Sequence, residues 1–326
     1  MSHPYDALSP DRVLDAIDAQ GFTSDGHLLA LNSYENRVYQ VGLEDAGFVV
    51  AKFYRPDRWS DDAILEEHAF SLALAAQEIP VVAPLADAAG NTLHHHAGFR
   101  FALFPRQGGR WPELDDPDHL EWLGRFLGRI HQLGAAQDFR HRPGTDPRTL
   151  GREPADALLQ SPLLPPEYRS RYQTLSDALI GRCEAVFAKV QPRLLRLHGD
   201  CHPGNILWTD DGPHFVDMDD CRMGPAVQDL WMLLSGDRTD MCWQLDAVLE
   251  GYRMFRDFDP AELALIEPLR ALRMIHYAAW LARRWDDPAF PLAFPWFGSA
   301  NYWEDQLATL EQQLETLALP PLQLFG

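Results

Sequence analysis

The chain has 326 residues, 46% of them hydrophobic, with 48 acidic against 28 basic side chains and a formal net charge of -20. That length supports one large domain or two lobes with separate cores. No run of about 18 apolar residues is present, which excludes a helical membrane span, and a field of this sign repels nucleic acid and anionic membrane while favouring cationic partners, although solubility alone also accounts for it.

The first residues, Met1-Ser2-His3-Pro4-Tyr5-Asp6, lack a basic stretch followed by an apolar one, so no signal peptide is expected. Cys183, Cys201, Cys221 and Cys242 have no zinc-type paired spacing. Reduced thiols in a cytoplasmic protein are the expectation.

Ser9-Pro10 offers a helix N-cap followed by proline at the first helical position; Val13, Leu14 and Ile17 form one apolar face, and Gly21 closes the helix. Residues 28–31 and 37–43 read as strands around the polar turn Asn32-Ser33-Tyr34-Glu35-Asn36. There the Ser33 hydroxyl and neighbouring N–H groups are candidates to cap phosphates; a plain hairpin turn is the competing reading. A third strand, 48–54, alternates Val49, Ala51 and Phe53 with Val50, Lys52 and Tyr54. A lysine in an apolar strand demands a partner. Lys52 fits the lysine that contacts nucleotide phosphates, with Glu67, or else Glu66, on the next helix as its partner; a lysine exposed at a sheet edge is the alternative.

Ser60 caps that next helix, with Asp61 and Asp62 favourable at its positive end. Ile64, Leu65, Ala69, Leu72 and Ala76 are expected on its apolar side, and Pro80 after its end. Residues 81–85 and 99–104 read as further strands, with His94-His95-His96 in a loop between them whose consecutive side chains diverge too much for a metal site. The order is helix, three strands, helix, two strands.

Residues 105–109 read as a hinge, and the remainder is mainly helical. Asp116-Pro117 starts a helix with Leu120, Leu123, Phe126, Leu127, Ile130 and Leu133 inward, and Gly124 and Gly128 would allow another element to pack closely. The proline-rich stretch 140–168 is expected to be irregular, either an insertion shaping an acceptor site or a surface loop. Helices follow near 168–190, 226–235, 240–257 and 261–285. Arg270, Arg273, Arg283 and Arg284, with the aromatic residues from Tyr277 to Trp303, are either a recognition surface or, preferably, the packed base of a lobe.

The segment Leu197-His198-Gly199-Asp200-Cys201-His202-Pro203-Gly204-Asn205-Ile206-Leu207, followed by Phe215-Val216-Asp217-Met218-Asp219-Asp220, carries the chemistry. Asp200, Asn205 and Asp217 come in the order of a general base and two metal ligands in phosphoryl transfer. Residues 206–209 and 214–217 read as a hairpin about the turn Asp210-Asp211-Gly212-Pro213, which would bring Asn205 beside Asp217. One amide and one carboxylate oxygen suit Mg²⁺, which also takes phosphate oxygens and water. Asp229 is expected to anchor the Asp200 loop through its backbone. Asp219 and Asp220 would tune the metal site or meet a basic acceptor; for Asp220, a second-sphere or solvent carboxylate is preferred. A metallophosphoesterase is the rival reading, but a histidine should then follow the asparagine, and Ile206 does.

With these residues in place, the chain resembles the stress response kinase A family, bacterial Ser/Thr protein kinases within the aminoglycoside phosphotransferase/choline kinase-like superfamily. The resemblance lies in LNSYENRVYQ (31–40), KFYRPDRW (52–59), ILEEH (64–68), LRLHGDCHPGNILW (195–208), GPAVQDLWMLL (224–234) and AWLARRWDDPAFP (279–291). It implies an α+β, bilobal protein-kinase-like fold: a small antiparallel-sheet nucleotide-binding lobe (1–104), a hinge (105–109) and a larger, mainly helical catalytic and substrate lobe (110–326). It also implies ATP- and Mg²⁺-dependent phosphorylation of protein Ser/Thr hydroxyls, with autophosphorylation, in a cytoplasmic stress response, by a monomer with no nucleic-acid or membrane partner. Asp200 would be the proton acceptor, Asn205 and Asp217 the Mg²⁺ ligands, and Ser33, Lys52 and Glu67 the nucleotide-binding residues. The D-F-G of protein kinases becomes Asp217-Met218-Asp219, which argues against ordinary activation-loop switching. A kinase of a small amine, amino acid or sugar hydroxyl is the alternative, and a non-catalytic nucleotide-binding scaffold a third reading.

Overall fold

The computed structural model describes residues 4–45 and 47–325. The chain begins α1 (Pro10–Asp18), β1 (Ser24–Leu31), β2 (Arg37–Leu43), β3 (Gly47–Phe53), α2 (Asp61–Ala75), β4 (His94–His96) and β5 (Phe99–Pro105). It continues through α3 (Pro117–Gly134), α4 (Glu153–Gln160), α5 (Pro166–Val190), β6 (Leu195–Leu197), β7 (Ile206–Thr209), β8 (Gly212–Phe215) and β9 (Arg222–Gly224). It ends with α6 (Val227–Trp231), α7 (Arg238–Tyr252), α8 (Ile266–Arg283), α9 (Ala289–Ala293) and α10 (Ala300–Thr316). Two units separate. The first takes the chain as far as Pro112, with Phe139–His141 and Pro203–Asp220; the second holds Glu113–Asp138, Arg142–His202 and everything from Cys221 onward.

In the first unit the strands form an antiparallel sheet in the order β1-β2-β3-β5-β4. The alternation in β3 is the one its sequence demands. Val49, Ala51 and Phe53 join Val41, Phe101 and Leu103 beneath Val13, Ala16 and Ile17 of α1, whose start is capped by the Ser9 hydroxyl. On the opposite face, Tyr54 packs with Ile64 of α2 and Ala102.

Two expectations fail in this unit. The penultimate strand is not 81–85 but β4, at the histidine triplet. Pro84 lacks the N–H that a ladder needs. The segment instead makes single extended contacts: Val82 N–H donates to Phe215 O at 2.9 Å and Leu85 N–H to Leu103 O at 2.7 Å. The buried side of α2 is also misread. Leu65, Ala69, Leu72 and Ala76 are exposed, and the inward stripe is Ala63, Ile64, Glu67, His68, Phe70, Ser71 and Leu74. Polar residues occupy the inward face because they have partners there. His68 is hydrogen-bonded to the Tyr54 hydroxyl at 2.7 Å and the Thr92 hydroxyl at 2.8 Å.

The second unit is helical around the small antiparallel ladder β6-β9. A Cβ on Gly124 would lie 1.9 Å from the Val248 carbonyl oxygen, and one on Gly251 would lie 1.9 Å from that of Glu121. The α3 and α7 backbones therefore touch in the manner the paired glycines of α3 anticipate. The stretch 140–168 is more ordered than its prolines indicate: a wide helical turn at Arg148–Arg152 runs into α4. Pro154 sits in the first turn of α4, where its missing N–H is harmless. Ala155 and Leu158 enter a core with Tyr172, Leu272, Phe290 and Trp303, so this part is not a surface loop.

Candidate active site

The β7-β8 hairpin builds one wall of the first unit's site. Thr209 pairs with Gly212 and Ile206 with Phe215, leaving Asp210-Asp211 as a two-residue turn shorter than the four-residue one expected. At the open end the Val216 N–H donates to Asn205 O at 3.0 Å, which sets Asn205 beside the residues following β8. Asp217 then adopts φ 59°, a left-handed conformation that Asp tolerates better than most residues. Its Oδ1 accepts from Lys52 Nζ at 2.7 Å.

These groups line a cavity of about 340 Å³ together with Ser33, Asn32 and Glu67. Apart from Ser71 and Gln107, its other lining side chains are apolar, among them Leu31, Val38, Val50, Val82, Phe104, Leu207, Val216 and Met218. The strand register orders the two halves. Val50 pairs with Phe104, next to Pro105, whereas Lys52 pairs with Ala102, two residues further along. Two residues of strand are about 6.6 Å, so an apolar end near Pro105 and Gln107 gives way to a charged end at Lys52. A site of this size and character suits a small ligand with a flat apolar part and an anionic part.

Lys52 is buried, which opposes its charge, yet the carboxylates of Asp217, Asp219 and Glu67 outweigh that and hold its pKa well above the ordinary lysine value. Asp219 Oδ1 is 3.4 Å from Lys52 Nζ. Glu67 is itself buried in the same cavity wall. Glu66 has another role: its two oxygens accept from the backbone N–H groups of Arg140 and His141 at 2.8 and 2.9 Å.

A network that the sequence reading left unassigned holds the 32–36 turn. Arg55 donates to the carbonyls of Glu35 at 2.8 Å and Tyr34 at 3.2 Å, and its backbone N–H donates to Asn36 Oδ1 at 3.0 Å. Asn36 Nδ2 in turn donates to Asp219 at 3.2 Å. Arg58 bridges Asp219 and Asp220, the latter at 2.9 Å. Asp220 is thus engaged by an arginine rather than left to solvent. The passage KFYRPDRW contained the signal, since two arginines so close to Lys52 would need nearby carboxylates.

In the second unit the loop after β6 carries Asp200. Asp229, at the start of α6, accepts from the backbone N–H groups of His198 and Gly199, both at 2.8 Å. This is the anchoring role expected of it. His131 of α3 is bonded to the same carboxylate at 3.0 Å and to the Tyr252 hydroxyl at 3.0 Å. Burial opposes ionisation of Asp229, but the hydrogen bond and charge of His131 prevail and hold its carboxyl below the usual range. Asp200 itself is paired with Arg273 of α8 at 2.6 Å, a contact with no precedent in the local motif. The adjacent Cys201 is fully buried, and burial pushes its thiol well above the ordinary value, so it is no reactive thiolate. Phe290, Phe297 and Trp303 are buried in the core whereas Tyr277 and Trp296 are exposed, so the packed-base reading holds for only part of the cluster.

Glu262 caps α6, accepting from the Val227 N–H at 2.9 Å. Burial pushes its carboxyl up from 4.5 to about 7. The folded protein therefore retains this proton where the unfolded chain has lost it. The resulting stability is complete below about pH 4.5 and is lost as pH rises through about 7; the linkage is worth on the order of 3 kcal/mol. Glu262→Gln should flatten that fall, so that the difference in Tm between variant and wild type grows in the variant's favour from pH 5 to 8. Parallel melting curves across that range would refute it.

Among the described residues no group of three or more His, Cys, Asp or Glu side chains is placed to hold a metal ion, and no helix is long and apolar enough to cross a membrane. Asn205 and Asp217 line the same cavity, and one amide with one carboxylate are donor types that could hold a hard cation completed by phosphate oxygens and water.

Residues 27–266 match APH, the phosphotransferase enzyme family. Over 320 residues the chain is 50% identical to stress response kinase A of Escherichia coli O157:H7, covering 98% of this chain and 97% of that protein. It is 48% identical, with the same coverage, to the serine/threonine protein kinase RdoA of Salmonella typhimurium. Among solved structures, amicoumacin kinase hAmiN superposes with a TM-score of 0.71 at 20% identity, covering 97% of this chain and 96% of that one. The microcompartment-associated aminopropanol kinase gives 0.69 at 19% identity, with 93% and 99% covered. These structural likenesses speak for the fold and agree with the two-lobed α+β reading.

Proposed function

The chain belongs to the phosphotransferase enzyme family, and on that premise we propose that it is a protein kinase that transfers the terminal phosphoryl group of ATP, with Mg²⁺, to Ser/Thr hydroxyls of proteins, its own included. The observation that carries the reading is the cavity with an apolar end by Pro105 and the Lys52–Asp217 pair, 2.7 Å apart, at the other. Val50, Phe104 and Leu207 suit the faces of a nucleobase. Lys52 would meet phosphate oxygens, and Ser33 and the backbone of its turn would cap them. Asn205 and Asp217 would hold Mg²⁺, which when bound neutralises charge on the phosphates. Asp200 would accept a hydrogen bond from the acceptor hydroxyl, orient it and take its proton. Little covalent work is asked of the protein, so positioning and charge supply most of the rate.

Protein as the acceptor is supported by the 50% and 48% identity to relatives named as stress response and Ser/Thr protein kinases. The same names support a role in a bacterial stress response. The test is transfer of label from γ-labelled ATP with Mg²⁺, with and without a generic protein acceptor. Label on Ser or Thr of the protein itself or of the acceptor is expected. Nucleotide turnover only with a small amine, amino acid or sugar would replace this reading with a metabolite kinase.

A further inference from the structure

Asp200 does not stand among neutral groups. Its Oδ1 accepts from Arg273 Nη1 at 2.6 Å, and its Oδ2 lies 3.5 Å from Nε2 of His202. The Arg273 side chain is 45% exposed and that of Asp200 23%, so the pair is reachable from solvent. A guanidinium carries five N–H donors in a planar fork, and the contact with Asp200 uses one of them.

The surroundings of Arg273 have a consistent character. Arg270, Arg273, Tyr277 and Trp280 recur at three- and four-residue spacing and share one side of α8. Tyr277 stacks on Trp280 at 5.7 Å, and Arg270 lies over the Trp231 ring at 5.6 Å. The single carboxylate of α8, Glu267, is engaged by Gln313 at 2.9 Å and Arg270 at 3.8 Å. In a chain of net charge -20, the helix face beside the candidate acceptor carboxylate is cationic and aromatic.

Resting on the protein-kinase reading and naming its substrate class, we propose that Arg273 directs the enzyme to acidic sites: Ser or Thr residues with a carboxylate on a neighbouring residue. The carboxylate takes donors of Arg273 that Asp200 leaves available, while the hydroxyl takes Asp200. The attraction is charge-assisted and fork-shaped, the geometry in which arginine binds a carboxylate best. It runs against the cationic acceptor that the net charge alone favours, because contact-range charge outweighs a screened overall field.

The test is steady-state phosphorylation of three Ser peptides that differ only in flanking residues: Glu, Gln or Lys. Wild type should favour the Glu peptide over the Gln peptide by about tenfold in kcat/KM, chiefly through KM, with the Lys peptide lowest. Arg273→Gln should bring the Glu-to-Gln ratio close to one, Arg273→Glu should invert the order towards the Lys peptide, and Arg273→Lys should keep the order. The ratio is the readout, because a general disturbance of Asp200 lowers all three peptides together. A ratio unmoved by Arg273→Gln, or a wild type indifferent to charge or partial to lysine, overturns this inference and leaves the kinase reading standing. No transfer to any peptide overturns the protein-kinase reading itself.

Discussion

Replacing Asp200 by Asn should leave nucleotide binding close to wild type and reduce phosphoryl transfer by between about 10² and 10⁴, the range that a positioned general base contributes. The substitution is nearly isosteric. Its amide oxygen can still accept from Arg273, and the loop backbone stays pinned, because its anchors are the bonds from His198 and Gly199 to Asp229. What disappears is the negative charge proposed to hold the acceptor hydroxyl and take its proton. Nucleotide affinity by direct titration and label transfer under the same conditions separate the two effects. Transfer near the wild-type rate would remove Asp200 from the chemistry.

Changes at Asp217 should be as damaging but different in kind. Asp217→Asn keeps a residue that tolerates φ 59° while removing the charge facing Lys52. Asp217→Ala also puts an ill-suited residue in a left-handed conformation, at about 1 kcal/mol further. Both should lose Mg²⁺-dependent transfer by about 10² or more, as when a preorganised electrostatic group is removed. Neither should unfold the protein, since Lys52 keeps Asp219 at 3.4 Å and the buried Glu67 nearby. Transfer assays, with thermal melts with ADP in the presence and absence of Mg²⁺, test this. If Mg²⁺ strengthens ADP protection equally in wild type and Asp217→Asn, then Asp217 is not a metal ligand.

The legible parts of this chain were those in which function is carried by adjacent residues or by one regular period. The Asn205–Asp217 convergence follows from a hairpin, and a hairpin is local. The inward face of β3 follows from strict alternation. The α2 face was misread because Glu67, His68 and Ser71 point inward, and hydrophobic periodicity has no means of anticipating a buried hydrogen bond between His68 and Tyr54. Arg58 is not assigned from sequence, and Arg273 is named there only within a candidate recognition surface, for a related reason. Their partners, Asp219 and Asp200, lie 161 and 73 positions away, and no local spacing encodes such pairs. Charged residues found by motif can be assigned from sequence; the charges that hold them come from elsewhere in the fold.

The first unit is also assembled from stretches that leave the ribosome at very different times. Its five-stranded sheet is encoded entirely before Pro112, so α1 and the strands can collapse early through mostly local pairings. The hairpin bearing Asn205 and Asp217 arrives only with Pro203–Asp220, after helices α3 to α5 have been synthesised. During that interval Lys52 has neither Asp217 nor Asp219, and the sheet face around Val50 and Phe104 lacks Leu207 and Val216. A nascent chain stalled partway through synthesis would thus display an uncovered apolar surface with a lysine at its centre that has Glu67 but neither aspartate beside it, the kind of intermediate that chaperones recognise. Nucleotide affinity should be acquired late in synthesis, in one step, when that hairpin closes.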